Sequence, residues 1–196
     1  MYFYEICWFA MKIKKCYNFV RRCKMEDIVM KRIAQFEKVS FSQFKSALEN
    51  RFSLAEIEEI YNNLKLPKRA TKGSAGYDFF APFDLNLKPG ETLLVPTGIK
   101  VKMEVDWVLK LYPRSGLGFK YRLQLNNTVG IIDSDYYYSS NEGHIFAKIT
   151  NDSNEGKEVI VNASTGFMQG IFIEYGITVD DMVNEVRDGG FGSTTK

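Results

Sequence analysis

The sequence predicts an all-β domain, a compact barrel or sandwich of short strands, with a short helical appendage on its N-terminal side. Three observations lead there. From Pro67 onward, short apolar runs recur between turn residues, as in Leu85-Asn86-Leu87 before Lys88-Pro89-Gly90. Within that region Ile99-Lys100-Val101-Lys102-Met103 alternates apolar and polar residues, the period of a strand with one buried face. Helical spacing is confined to the stretch before Pro67.

Taken in order, residues 1–24 run from Met1-Tyr2-Phe3-Tyr4 to Arg21-Arg22-Cys23-Lys24 and are aromatic and basic. Glu5, Lys12, Lys14 and Lys15 interrupt the apolar run, so no transmembrane span is expected, and the order of features is the reverse of a signal peptide. The stretch reads as a loosely attached extension or an amphipathic surface helix, with Met25 and Met30 as alternative starts. Residues 25–65 read as the helical appendage. Phe41, Phe44 and Leu48 share one face, and Ser53-Leu54-Ala55-Glu56 has capping-box spacing ahead of Ile57, Ile60, Tyr61 and Leu64. Residues 66–186 then form the β domain, with further strands expected at Thr92–Val95, Trp107–Tyr112, Ile145–Ile149 and Gly170–Tyr175. Residues 187–196 form a glycine-rich tail.

Composition narrows the function. A chain of 196 residues suits one domain and its appendage, and 26 Lys and Arg against 24 Asp and Glu are too balanced for stable nucleic-acid binding. A small polyanionic ligand remains open. Cys7, Cys16 and Cys23 match no common zinc spacing and leave the body free of cysteine, which indicates a reducing compartment and a cytoplasmic protein without membrane attachment. His144 is the one histidine, so histidine-rich metal sites are excluded and any Ser-His-Asp or Cys-His chemistry would have to rest on that single residue. It precedes an apolar run and reads as a structural residue at a strand start. Catalysis would rest on carboxylates, water and a hard cation.

Four segments carry the chemistry. Thr71-Lys72-Gly73-Ser74-Ala75-Gly76-Tyr77-Asp78 is a polar loop entering a strand, with Asp78 at the rim. Pro113-Arg114-Ser115-Gly116-Leu117-Gly118 sits where a strand breaks, and an arginine, a hydroxyl and exposed N–H groups make either an anion site or an ordinary turn. In Asn126-Asn127-Thr128-Val129-Gly130-Ile131-Ile132-Asp133-Ser134-Asp135-Tyr136, Asp133 ends an apolar run. It is either a general base that holds a water, or, with Asp135, the cap of a hairpin. The tail Arg187-Asp188-Gly189-Gly190-Phe191-Gly192-Ser193-Thr194-Thr195-Lys196 is either a solvated terminus or a wrap around phosphates, with glycine N–H groups and hydroxyls as donors and Phe191 as a base platform.

In this order the segments resemble the trimeric deoxyuridine triphosphatases (dUTPases), over about Leu66 to Lys196. The resemblance implies a distorted jelly-roll-like β-clip subunit and a homotrimer whose sites lie between subunits, each closed by the tail of another chain. It implies hydrolysis of dUTP to dUMP and pyrophosphate, which limits uracil in DNA and supplies dUMP for dTMP synthesis. Asp133 would activate the water that attacks the α-phosphorus, and Asp78 would support the carboxylate and water network. Asn127, with backbone groups such as those of Gly130, would read the uracil edge, and Tyr136 would lie under the deoxyribose and exclude a 2′-hydroxyl. Arg114, Ser115 and Gly116 would hold phosphates, Gln169 matches the glutamine of the fourth motif, and Phe191 would stack on uracil. Arg187, Gly192, Ser193 and Thr194 would close on the triphosphate. Mg²⁺ would be held mainly by phosphates and waters, with no direct protein ligand.

The chain departs from that pattern. Tyr137-Tyr138-Ser139-Ser140-Asn141-Glu142-Gly143 is a longer loop where the family usually continues Arg-Gly-Glu, and Ser164-Thr165-Gly166-Phe167-Met168-Gln169 lacks the family's arginine. Two other readings share the fold: a dCTP deaminase-like enzyme and a nucleotide-sensing or regulatory binding protein. The context of Asp133 and the tail favour hydrolysis.

Overall fold

A computed structural model of the chain describes residues 30–185 and residue 187, and from Ile33 onward they form one compact unit. The three cysteines and the tail beyond Arg187, including Phe191, Gly192, Ser193 and Thr194, lie outside the described residues. The chain begins with strand β1 (Ala34–Lys38) and helices α1 (Phe41–Ser46) and α2 (Leu54–Asn63). Strands β2 (Lys68–Arg69), β3 (Tyr77–Phe80), β4 (Leu85–Leu87), β5 (Thr92–Pro96), β6 (Ile99–Met103) and β7 (Trp107–Pro113) follow, then helix α3 (Ser115–Tyr121). The remainder comprises β8 (Leu123–Leu125), β9 (Gly130–Ile132), a 3₁₀ helix (Ser134–Tyr138), β10 (Phe146–Asn151), β11 (Val159–Val161) and β12 (Gly166–Glu174).

The strands form small antiparallel sheets in the orders β2-β3-β12-β7-β9, β5-β10-β8, β1-β6 and β11-β4. The all-β expectation holds, as a jelly-roll-like stack of separate sheets in place of a closed barrel. No helix among the described residues is long and apolar enough to cross a membrane. Along β6, Ile99, Val101 and Met103 are buried while Lys102 is exposed, so the alternation in the sequence is the burial pattern of the strand. The two longest strands, β7 and β12, pair from Pro113↔Met168 to Trp107↔Glu174. At Gly170 in that ladder, a β-carbon would come within 2.8 Å of Leu109 and 3.0 Å of Phe79, so a missing side chain is what lets this core close.

The stretch 25–65 is not helical throughout. Ala34-Gln35-Phe36-Glu37 alternates apolar and polar for only four residues, yet Ala34–Lys38 pairs with β6 from Ala34↔Met103 to Lys38↔Ile99. Tertiary packing makes this strand: Phe36 enters an aromatic cluster with Tyr77 at 5.4 Å, Phe79 at 5.5 Å and Phe172 at 5.7 Å. Both helix starts follow the sequence. The Ser40 side chain accepts from the Gln43 N–H, and Ser53 with Glu56 completes a capping box ahead of α2.

Phe44 of α1 and Leu64 after α2 close over Gly98, whose φ is +72°. A β-carbon there would collide with Leu64 and stand 3.1 Å from the Phe44 ring. Under this contact lies His144, fully buried, with Nε2 accepting the Gly98 N–H at 2.9 Å and its ring 4.3 Å from Phe146. Burial pushes its pKa down to about 4, against a weaker pull from Glu142. Nδ1, which carries the proton of the neutral ring, is buried without a hydrogen-bond partner. The single histidine is therefore structural.

Two outcomes follow from this packing. Gly98→Ala, strained in both φ and space, will lower unfolding stability by about 2–4 kcal/mol. Gly73→Ala, with open space at its β-carbon, will stay within about 0.5 kcal/mol in the same denaturant titration. His144 protonates near its ordinary value when unfolded but only near 4 when folded. Between these values the unfolded chain binds more protons, so stability falls as pH drops, by up to about 3 kcal/mol. The denaturant midpoint will decline between pH 7 and 5 in the wild type, and His144→Gln will flatten that slope. A flat wild-type profile would exclude a buried neutral imidazole.

Candidate active site

Of the expected site residues, Asp78, Arg114, Ser115, Gly116 and Gln169 gather toward one end of β7 and Asp133 and Tyr136 toward the other, with Gly130 and Asn127 leading from the first end to the second. The first group gathers where β7 ends. Asp78 on β3 lies opposite Gln169 on β12, which in turn lies opposite Tyr112 on β7. Arg114 leaves β7 immediately beyond and turns back on this row, with Nε 3.3 Å from Asp78 Oδ1 and Nη1 donating to the Gly166 carbonyl at 3.4 Å. The Gln169 side chain lies across Gly76, where a β-carbon would come 2.8 Å from its Oε1. The segment read as an anion loop or a turn is the start of helix α3, with Arg114 at the N-cap position. Arg114 makes no capping bond, because a guanidinium carries only donors, and its side chain is paired with Asp78 instead. Ser115 and Gly116 are exposed, and amides in a helical first turn have no intrahelical acceptor.

The second group stands at the other end. β9 pairs with β7 from Leu111↔Gly130 to Leu109↔Ile132, which carries Asp133 past Leu109 and away from Arg114. Gly130 packs against Leu111, whose Cβ would stand 3.0 Å from any β-carbon added there. The turn through Asn127 is not a β-hairpin. β8 pairs with β10 and β9 with β7, so the turn crosses between sheets, with Thr128 in the left-handed region at φ 64°. Asn127 is exposed on it, toward the Pro113 end of β7.

Asp133 occupies the N-cap position of the 3₁₀ helix and makes no capping bond, so the local fold leaves its carboxylate free for another task. Its partner is Arg187, whose Nη2 donates to Asp133 Oδ2 while Nε donates to Asp135 Oδ1 at 3.0 Å. The guanidinium also lies 5.7 Å from the Tyr136 ring centroid. Arg187 was expected on phosphates; here it neutralises two carboxylates of its own chain, because in the absence of a polyanion they are its strongest local attraction.

Tyr136 is nearly buried, donates its hydroxyl to the His144 carbonyl at 2.8 Å and accepts from Asn141 Nδ2 at 2.8 Å. Burial raises its pKa, against the Asn141 hydrogen bond and the Arg187 charge, so the phenol stays protonated. Sequence reasoning gave Asp135 no role beyond a hairpin cap, and gave Asn141 none. Asp135 was legible only as a second acid two residues after Asp133, and Asn141 had no signal, since its partner is reached by a fold-back of the loop.

Ladder geometry sets the distance between the groups. Asp133 stands opposite Val108, six residues along β7 from Arg114, and at about 3.3 Å per residue the two lie about 20 Å apart within one chain. Asp78, three strands across and four rows along, is also about 20 Å from Asp133. Within one copy of the chain the two groups are therefore separate clusters. Among the described residues no cluster of three or more His, Cys, Asp or Glu could enclose a metal ion.

Comparison with known proteins identifies the family. The sequence model of the dUTPase family matches residues 62–195. The deoxyuridine 5′-triphosphate nucleotidohydrolase of Lactococcus lactis subsp. lactis is 41% identical over 144 residues, covering 71% of this chain and 95% of the relative. The protein of the same name from Haemophilus influenzae is 37% identical over 143 residues, covering 70% and 91%. Among solved structures, dUTPase from Streptococcus mutans superposes with a TM-score of 0.55 at 35% identity, covering 73% of this chain and 97% of that one. A dUTPase from phage phi11 of S. aureus, at 19% identity and a TM-score of 0.55, shares the fold. β1, α1 and most of α2 precede the matched region. With the match spanning well over half of its length and relatives this similar along most of it, the chain belongs to the dUTPase family.

Proposed function

We propose that this chain hydrolyses dUTP to dUMP and pyrophosphate at sites shared between copies of itself. The observation that carries this reading is the division of the site along β7. Arg114, Asp78 and Gln169 of one copy would meet Asp133 and Tyr136 of another, an arrangement that a homotrimer closes by symmetry. The stretch after β12 supports association: it exposes Ile177, Val179, Met182 and Val183, an apolar row that a neighbouring copy would cover.

In the proposed reaction Asp133 holds a water and takes its proton as the water oxygen bonds to the α-phosphorus. The bond to the bridging oxygen breaks on the opposite side, and pyrophosphate leaves. The triphosphate brings about four negative charges, enough to draw Arg187 off Asp133 and Asp135 and free the base. Arg114 and the amides of Ser115 and Gly116 add positive potential from the other copy, and Gln169 lies beside them. Tyr136 presents its ring to the sugar, and Asn127 is exposed to reach the base edge, with Gly130 fixing the strand beside it. Phe191, Gly192, Ser193 and Thr194 would complete closure as the tail folds over base and phosphates.

Mg²⁺ fits this donor set, which offers carboxylate oxygens at Asp133 and Asp135 but no closed cage, because that ion keeps much of its water and binds phosphates. When bound it would supply charge neutralisation to the triphosphate.

Two measurements test the reading. Wild-type protein will release pyrophosphate from dUTP and not from dCTP or dTTP. Asp133→Asn will bind dUTP yet lose turnover by at least about 100-fold. Binding without release by the wild type would favour the nucleotide-sensing alternative, and dCTP consumption the deaminase-like one. Second, Arg114→Ala and Asp133→Asn chains, each inactive alone, will regain activity when co-refolded, since random mixing leaves about a quarter of shared sites intact. No recovery would place both groups in one chain's site.

A further inference from the structure

The two features that depart from the family pattern, the segment before residue 62 and the long loop 137–143, are bonded to each other. Ser40 caps α1, its Oγ accepting the Gln43 N–H at 3.1 Å. The same hydroxyl donates to Glu142 Oε1 at 2.6 Å, and the Ser40 N–H donates to Oε2 at 2.8 Å. Lys100 Nζ lies 3.8 Å from that oxygen. One turn away, the Tyr137 hydroxyl donates to Glu37 Oε2 of β1 at 2.9 Å, with Lys100 Nζ 5.0 Å from the Tyr137 ring centroid. Ser40's hydroxyl and amide hold the Glu142 carboxyl below its usual range, so the link stays charged at neutral pH.

This pinned loop also holds Tyr136. Glu142 sits in the left-handed region at φ 59°, a cost for a non-glycine residue that an outside anchor must offset. Gly143 follows at φ 68°, and a β-carbon there would come 2.7 Å from the Tyr137 Cα, so the loop is folded hard against the 3₁₀ helix. Within it Ser139 Oγ donates to the Tyr136 carbonyl at 2.6 Å, Asn141 Nδ2 to the Tyr136 hydroxyl, and that hydroxyl to the His144 carbonyl. Both groups that grip the Tyr136 hydroxyl thus flank Glu142. His144 is held in turn by Gly98, on which Phe44 and Leu64 of the N-terminal segment press.

We infer that the segment from Ala34 to Leu64 is a brace that sets the position of Tyr136, and that Ser40 and Glu142 are positioning residues for the sugar selectivity of the site. The inference rests on the reading above that the Tyr136 ring lies under deoxyribose. Excluding one hydroxyl by contact needs the ring held to a fraction of an ångström, and a 3₁₀ helix of five residues does not supply that alone. The brace supplies it, and all of it but its last three residues lies outside the region that matches the family.

The test uses the full chain with Ser40→Asp and Glu142→Gln. Ser40→Asp keeps a helix-capping oxygen while setting a carboxylate against Glu142, so it breaks the link without removing the cap. Ser40→Thr, which keeps both bonds, serves as the conservative control. Amide hydrogen exchange by mass spectrometry should show faster exchange at 134–144 in the first two variants, with β7 and β12 unchanged. The ratio of kcat/KM for dUTP over UTP should fall by about tenfold or more, with wild-type behaviour in Ser40→Thr. Unchanged protection at 134–144 overturns the inference whether or not the chain hydrolyses dUTP. Faster exchange with an unchanged dUTP:UTP ratio overturns it as well, leaving the segment a structural cover. A wild type that turns over neither nucleotide would defeat the proposed function instead, and the exchange result would still decide whether Ser40 and Glu142 hold Tyr136.

Discussion

β7 is held between β12 and β9, and the register of these two ladders is the constraint on which the rest of the molecule depends. Pairing of Gln169 with both Asp78 and Tyr112 gathers Asp78, Gln169 and Arg114 at one end of β7, and pairing of Ile132 with Leu109 delivers Asp133 at the other. A slip of one residue would turn every side chain of a strand to the opposite face, and the close packing at Gly170 and Gly130 against Leu109 and Leu111 prevents it. The same rigidity that fixes each half-site keeps the halves apart. A strand of fixed rise cannot bring its own two ends together.

Charge is arranged with the same economy. Asp78 is paired with Arg114, and Asp133 and Asp135 are paired with Arg187, so each half-site carries its own neutralising arginine. These pairs are half-exposed, where an ion pair contributes little to stability and exchanges readily for a stronger partner. A triphosphate is such a partner. Its arrival would move both arginines from carboxylate to phosphate and leave Asp133 uncovered when substrate is in place, which couples binding to the appearance of the base.

Much of this was legible in the sequence and some was not, for identifiable reasons. The alternation of β6, the capping box at Ser53 and the helix cap at Ser40 are local signals, and the structure follows each. β1 was missed because the alternation in Ala34-Gln35-Phe36-Glu37 is too short to name a strand; Phe36, entering the cluster with Tyr77, Phe79 and Phe172, anchors it as one. Arg114-Ser115-Gly116-Leu117-Gly118 was read as a loop because two glycines argue against a helix, yet Ser115–Tyr121 is helical, ending on Arg122 in the left-handed region. The hairpin expected around Asn127 is a crossing between sheets, since pairing partners are chosen by tertiary contact and the turn residues look the same in either case.

The sequence by itself determined the all-β class, the family and the identity of the chemical groups, because these reside in residue types, short-range periodicity and the order of motifs. Tertiary structure decided which of those groups meet. It placed Arg187 on Asp133 and Asp135, buried His144 neutral beneath the N-terminal helices, and bound loop 137–143 to Ser40 and Glu37. Such contacts join residues far apart in the chain through ladders and packing, and no local pattern encodes the distance between them.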